Sequence, residues 1–267
     1  MKLRTVAALI AAAITLVSIF GPVLGGFDHA RQERNHIGEG HSALHWLGTD
    51  DLGRDRLARL LYGVRTSVLL APAAALLSML LAFLLGAVPG FAGGAWEQTA
   101  KSVIDLFLAV PWLFLLLIVR AMLPLNTSPQ VSALITFAVL GALGWAAAAR
   151  VLLARARSLR QSDMMVLARA TGSAGTRLLR KHLLPNLRPI LIAQFWVTVP
   201  LFILSEANLS MLGLGVSEPM PSLGALLCEM ESALSLRAEP ARFLPLLTMV
   251  LLISSLQMAV SNREVIR

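Results

Sequence analysis

The sequence predicts an all-α membrane protein of about six transmembrane helices, and three observations carry that expectation. Apolar residues make up 57% of the 267 residues and charged residues only 14%. Several apolar runs reach the roughly 20 residues that a helix needs to cross about 30 Å of hydrocarbon. One polar segment between two such runs, Arg150 to Pro189, holds nine Lys or Arg against a single acid, Asp163. In a membrane chain a short loop this basic marks the cytoplasmic side, so it orients every other element. The formal net charge of +8 equals the balance of that loop alone, nine minus one. The charge is therefore a topology signal, not the basic face of a nucleic-acid binder, and no nucleic-acid partner is expected. A single cysteine, Cys228, excludes an intrachain disulfide and any Cys-x-x-Cys pattern.

Lys2 and Arg4 lead into an uncharged run from Val6 to Leu24. That run exceeds the roughly 7 to 15 residues of a signal-peptide core, and Ile19 to Gly25 is a poor Ala-x-Ala site. Residues 1–25 are expected as a retained first span entered from the cytoplasm. Gly26 to Thr66 holds six arginines and six acids, a zero balance suited to an external segment over 26–67. Within it Leu57, Leu60, Leu61 and Val64 recur at helical spacing, with Arg54, Arg56, Arg59 and Arg65 elsewhere around the helix. This pattern predicts an interfacial amphipathic helix. Thr49 or Asp50 is the expected cap and Asp51 the first-turn acid. The carboxylates of Asp50, Asp51 and Asp55 read as caps and salt-bridge partners, and His29, His36, His41 and His45 as solvated, so no metal site is expected.

Val68 to Val88 is the expected second span, Pro89 to Lys101 an inner turn and Val103 to Leu123 the third span, with Asp105 and Arg120 near its ends, where they snorkel or pair. Val131 to Ala149 is the fourth span. Its Ala138, Ala142 and Ala146 predict a close-packing face, and Trp145 an interfacial anchor. The basic loop reads as two short helices, Leu159 to Ala170 and Thr176 to Leu184, around Gly172 and Gly175, with Pro185 and Pro189 as stops. Leu178, Leu179, His182 and Leu183 form an apolar stripe on the second helix, which suggests a docking surface. Ile190 to Leu212 is the fifth span. Pro200 interrupts it, and Glu206 lies near its outer end either as a plain helix-end charge or, with Pro200 and Ser210, as a translocation or gate residue. Phe243 to Val260 is the sixth span, which completes a core over 68–260, and a short cytoplasmic tail over 261–267 follows.

Three stretches carry a resemblance to a known family. Asp163 to Gly172, followed by His182-Leu183-Leu184-Pro185-Asn186, resembles the coupling loop of ABC importer permeases, although Val166-Leu167-Ala168 stands where that family has Glu-Ala-Ala. His45 to Asp55, continuing to Arg65-Thr66-Ser67, resembles the segment before the second span in C-type permeases of dipeptide, oligopeptide and nickel importers. Glu206-Ala207-Asn208-Leu209-Ser210 with Gly213 and Gly215, then Pro219 to Leu227, is similar to that group's signature after the fifth span. The resemblance covers roughly Leu44 to Leu227. It implies the transmembrane fold of a type I ABC importer. It also implies an ATPase-coupling role for Asp163, Ala168, Arg169, Gly172, Arg177, Arg180, His182 and Pro185, and a family-motif external segment at Gly48, Thr49, Asp50, Gly53, Arg54 and Asp55.

The same resemblance implies a membrane permease for peptides or related small solutes, nickel chelates among them, in the inner membrane with both termini cytoplasmic. Its expected partners are a paralogous B-type permease, two cytoplasmic ATP-binding cassette subunits, an external substrate-binding protein and membrane lipid. ATP and Mg are expected on the ATPase subunits and no cofactor on this chain. The sequence holds no Gly-x-x-x-x-Gly-Lys-Ser/Thr loop and no recognisable set of nucleophile, base and orienting group, so it reads as a transport subunit and not an enzyme. A secondary transporter or channel subunit without ATPase partners is the alternative. It would place ionisable or broken-helix sites near the bilayer midplane, where only Pro200 qualifies.

Overall fold

The computed structural model describes residues 2–122, 127–171, 175–232 and 240–260. These residues form helices joined by turns, and among them the only extended pairing is one isolated bridge between Thr49 and Asp55. In chain order the helices are α1 (Lys2–Leu24), α2 (Arg56–Ala82), α3 (Val88–Ala92), α4 (Gly94–Ala109), α5 (Trp112–Met122) and α6 (Pro129–Leu143). They continue with α7 (Trp145–Arg160), α8 (Asp163–Ala170), α9 (Gly175–Leu178), α10 (Leu184–Met211), α11 (Leu223–Ser232) and α12 (Leu244–Val260). The chain divides into two compact units, one of Met1–Pro72, Val119–Phe137 and Pro200–Arg267 and one of Ala73–Ile118 and Ala138–Val199. The expected tail over 261–267 lies outside the described residues.

In the first unit α1 packs along α12. The Arg4 guanidinium, near the start of α1, donates to the Ala259 carbonyl at the end of α12 over 3.2 Å. The two helices therefore run antiparallel. Five helical stretches are long and apolar enough to cross a membrane, and α4 with α5 together form a broken span or a re-entrant loop, bent by 86°. The bend corrects the expected straight third span. Pro111 drives Val110 into extended backbone (φ −81°, ψ 126°), and a helix cannot pass through that conformation.

The second unit is built on close backbone approach. A side-chain carbon added at Gly86 would lie 2.4 Å from the Ala149 carbonyl oxygen, and one at Gly90 would lie 2.6 Å from that of Leu153. Two glycines four residues apart thus let one helix lie against a matching pair on α7. Ala149, Leu152, Leu153 and Ala156 are buried there, with Ile104 and Phe91. The alanine face expected on the fourth span is corrected: Ala138 and Ala142 are exposed, and only Ala146 is buried. Trp145 is also buried, not interfacial, and packs on Phe107 with ring centroids 5.0 Å apart.

Several expected turns are helical. The inner turn over 89–101 contracts to Gly93, whose φ of +81° reverses the chain between α3 and α4. The first part of the basic loop continues α7 to Arg160, and the break falls at residues 161 and 162, inside the helix expected over 159–170. Pro185 and Pro189 do not stop the helix, because α10 runs through both. A π-helical turn over Leu179–Leu183 precedes Pro185 by two residues, and another over Phe83–Ala87 precedes Pro89 by two. The wider turn makes room for a ring that would strike the carbonyl one α-turn back. The Asn186 side chain then donates to the His182 carbonyl over 2.7 Å.

Gly86→Leu is expected to destabilise the folded protein by about 1–3 kcal/mol, since the backbone it meets cannot yield. Ala138→Leu, on the exposed face of α6, should leave stability unchanged. Thermal unfolding of the two variants in one detergent checks this.

Candidate functional site

Residues 161–189 form a two-sided element within the second unit. Met165, Ala168, Leu178, Leu183 and Leu187 are buried in its core. Met164, Val166 and Leu167 face outward with Arg177, Arg180 and Lys181. The apolar stripe expected as a docking surface is therefore mostly internal: Leu178 and Leu183 are buried, and Leu179 and His182 are half-buried. Of the expected coupling residues, Asp163 is exposed in the first turn of α8 and Pro185 is exposed at the start of α10. Gly172 and the side chain of Arg169 lie outside the described residues. Nearby, Arg160 and Arg157 pair with Glu97 at 3.0 and 3.3 Å, and Arg150 pairs with Asp105.

In the first unit, residues 45–59 fold around buried charge. Thr49 accepts the Glu39 amide on its hydroxyl oxygen at 2.9 Å and donates to the His36 carbonyl. Gly48 (φ +71°) and Gly53 (φ +73°) approach the carbonyls of Glu39 and Glu33 so closely that a Cβ would lie 2.4 and 2.3 Å away. Asp50 accepts the amides of Leu52 and Arg54 at 2.9 and 2.8 Å and the Arg54 Nε at 2.6 Å. The helix cap expected at Thr49 or Asp50 is Asp55, whose carboxylate accepts the Ala58 amide at 2.8 Å. Its other oxygen lies 2.8 Å from His45 Nδ1, so His45 is a buried partner and not a solvated ring. The amphipathic stretch is the opening of α2 itself, and Arg54 and Arg59, expected on its polar surface, are 5% and 1% exposed.

Glu218 and Glu229, far along the chain, satisfy those two guanidiniums. Glu218 lies 3.2 Å from Arg59 and also pairs with Arg54, and Glu229 pairs with Arg59. Burial opposes ionisation of Glu218, yet Arg59 and Arg54 outweigh it and hold the carboxyl below the usual carboxylate range. Burial wins at Glu229, where Glu218 adds repulsion, and raises the carboxyl to about 7 despite Arg59. This network was hidden in the sequence because 159 residues separate Arg59 from Glu218. The acidic character after the fifth span was the available signal, although Glu231, Arg237 and Glu239 lie outside the described side chains.

Glu206 is fully buried, which corrects the reading of a helix-end charge. It accepts from the Ser210 hydroxyl at 2.7 Å, the Ser222 hydroxyl at 2.6 Å and the Gly224 amide at 3.2 Å. Ser222 also caps α11, accepting the Ala225 amide at 3.0 Å, so the carboxylate sits at the positive end of that helix. Gly224 is required here: a Cβ would lie 2.6 Å from the Ala207 Cα. The arrangement clasps the 222–224 turn against α10, and the Leu223 amide donates a hydrogen bond of 3.3 Å to Ser67 Oγ on α2. Arg120, expected to snorkel or pair with a neighbour, does not snorkel: it is fully buried and bonds to Ser132 and the Gly215 carbonyl. Pro200 is buried within α10, where it removes one ladder hydrogen bond.

The family model described as binding-protein-dependent transport system inner membrane component matches residues 78–262. The oligopeptide transport system permease protein OppC of Bacillus subtilis (strain 168) is 32% identical over 225 residues, 84% of this chain and 72% of the relative. The dipeptide transport system permease protein DppC of the same organism is 30% identical over 211 residues, 79% of this chain and 64% of the relative. OppC of Mycobacterium tuberculosis (strain ATCC 25618 / H37Rv) is 32% identical over 225 residues, 84% of this chain and 76% of the relative.

Three outcomes follow from these carboxylates. Glu206→Leu leaves two hydroxyls and an amide without their acceptor and should cost about 1–3 kcal/mol of stability for a single orphaned group, more if all three stay buried. The folded state binds a proton at Glu229 more tightly than the unfolded chain does, so its contribution is full below about 4.5 and lost as pH rises to about 7. Glu229→Gln should flatten the melting temperature across that window. Glu218→Gln should lower stability at pH 7, where its ionised form is stabilising. Melting curves between pH 4 and 8 test both signs.

Proposed function

The chain belongs to the family of binding-protein-dependent transport system inner membrane components, and from that premise we propose that it is the C-type permease subunit of an ATP-driven peptide importer. It pairs with a B-type permease to enclose the path, receives peptide from an external binding protein and is driven by two cytoplasmic ATP-binding cassette subunits that hold ATP and Mg. The basic segment faces the cytoplasm, which puts both termini inside and residues 26–55 outside. Related solutes such as nickel chelates fall within the same reading of the path.

The observation that best supports this is the two-sided character of residues 161–189. An exposed basic and apolar face, Met164, Val166, Leu167, Arg177, Arg180 and Lys181, rides on a buried spine. A partner gripping that face would move the whole packed unit, because interiors at crystal-like density transmit displacement. ATP-driven closure of the ATPases biases the permease between inward and outward openings through this surface. The family's glutamate is absent, so the basic side chains and exposed Val166 and Leu167 carry the contact. On the other side, Glu206, Ser210 and Ser222 hold the outer turn to α10, which flexes at Pro200, and we assign them to the gate.

The double variant Arg177→Glu/Arg180→Glu, made in the full complex, should lose ATPase subunits on purification by about tenfold or more, the equivalent of about 1.4 kcal/mol. Arg31→Glu, on the opposite aqueous side, should not. Undiminished ATPase retention and peptide uptake in the double variant reject the assignment.

A further inference from the structure

Arg120 differs from the other buried cations of the first unit. Its guanidinium is fully buried and enters no ion pair among the described residues. Nη2 donates to Ser132 Oγ at 3.1 Å and to the Gly215 carbonyl at 3.3 Å, while Nε and Nη1 have no hydrogen-bond partner among the described residues. Arg54 and Arg59 each meet carboxylates, whereas this charge meets none among the described residues. A cation withdrawn from water without a counter-charge carries a penalty of several kcal/mol, so something must offset it.

The hydrogen bonds around Arg120 lead outward from it. Ser132 Oγ accepts from Arg120 and, at 3.2 Å, from the Ser217 amide. A hydroxyl oxygen has two acceptor positions and one proton, and both positions are now filled. The Ser132 proton is left for Ser217 Oγ, 2.8 Å away. Ser217 therefore accepts from behind, and its own proton is free to be donated forward. Ser217 and Gly215 both line an open cavity of about 330 Å³, which Ala225 and Cys228 also border. Glu218 and Glu229 reach the same cavity, but their carboxylates are engaged by Arg54 and Arg59.

We propose that this cavity is a carboxylate-binding site in which Ser217 donates to the bound oxygen and Arg120, behind the wall, supplies the charge through Ser132. One directed donor and one positive charge match a monoanion. A dianionic phosphate would leave a second negative charge beside Glu218 and Glu229. For a peptide permease the ligand is the C-terminal carboxylate of the peptide, and in that respect the site rests on the function proposed above. Polarisation along the chain of hydrogen bonds strengthens the final donor.

Cys228, the chain's single cysteine, borders the cavity and serves as the reporter. The complete complex in lipid, without nucleotide, is treated with a neutral maleimide, and modification of the Cys228 peptide is followed by mass spectrometry. Saturating trialanine with a free C-terminus should slow the reaction by about tenfold relative to trialanine amide, the worth of one charge-assisted contact. Arg120→Gln and Ser217→Ala should each abolish that difference, and Arg120→Lys should keep part of it. Equal protection by the two peptides, no protection by either, or undiminished protection in Arg120→Gln overturns the site. Ser217→Ala, at a half-buried position, decides the matter if Arg120→Gln fails to assemble. ATPase retention is read on the same wild-type sample. A complex that keeps its ATPases but shows no carboxylate-dependent protection loses only the site, whereas a wild type that captures no ATPase loses the importer reading.

Discussion

Ionic groups withdrawn from water must find partners inside the fold, and the loops of the first unit take their positions from that requirement. Arg54, just before α2, and Arg59, in its first turn, are buried, which is tolerable because Asp50, Glu218 and Glu229 surround them. The partners come from segments far apart in sequence, so pairing them draws the chain after the fifth span onto the residues that precede the second. A broken buried pair costs more than an intact one gains, and this asymmetry makes the arrangement specific even where its net stabilisation is small. Glu206 obeys the same rule with neutral donors, two hydroxyls and an amide at the positive end of α11. Arg120 is the exception, since it meets no counter-charge among the described residues, and the proposed carboxylate ligand rests on that.

The second unit meets a different demand, that of uninterrupted helices packed close enough to act as one body. Gly86 and Gly90 remove the side-chain carbons that would separate their backbone from α7, and the apolar contacts of Leu152, Leu153 and Ala156 follow from that approach. Prolines that would ordinarily end helices are absorbed by π-helical turns placed two residues before them, at Pro89 and again at Pro185. Continuity through Pro185 matters for function in the proposed importer. It joins the surface gripped by an ATPase directly to a spanning helix, without a loose turn in which displacement would dissipate.

Much of this was legible in one dimension. Apolar run length announced the spans, and the nine-to-one charge ratio of residues 150–189 singled out the segment that carries the outward basic face. The first, fifth and sixth spans lie close to where hydropathy put them, since a stretch of some twenty apolar residues has few alternatives in or beside a membrane. Errors gathered where one residue type serves two environments. His45 was read as solvated because histidine usually is, Trp145 as interfacial for the same reason, and Arg54 and Arg59 were placed around the polar side of an amphipathic helix. The alanine spacing at 138, 142 and 146 was real, but glycines elsewhere offered a closer approach and took the contact.

The sequence by itself determined the class of the protein, the runs long and apolar enough to cross a membrane, the one strongly basic segment between them and the motifs that mark its family. These depend on composition and local order, which any stretch of chain carries with it. Only the tertiary structure decided which acid answers which arginine, that Glu206 is a clasp and not a helix-end charge, and that Arg120 has no counter-ion among the described residues. Those facts depend on distances between residues as many as 170 positions apart, and no local pattern encodes a distance of that kind.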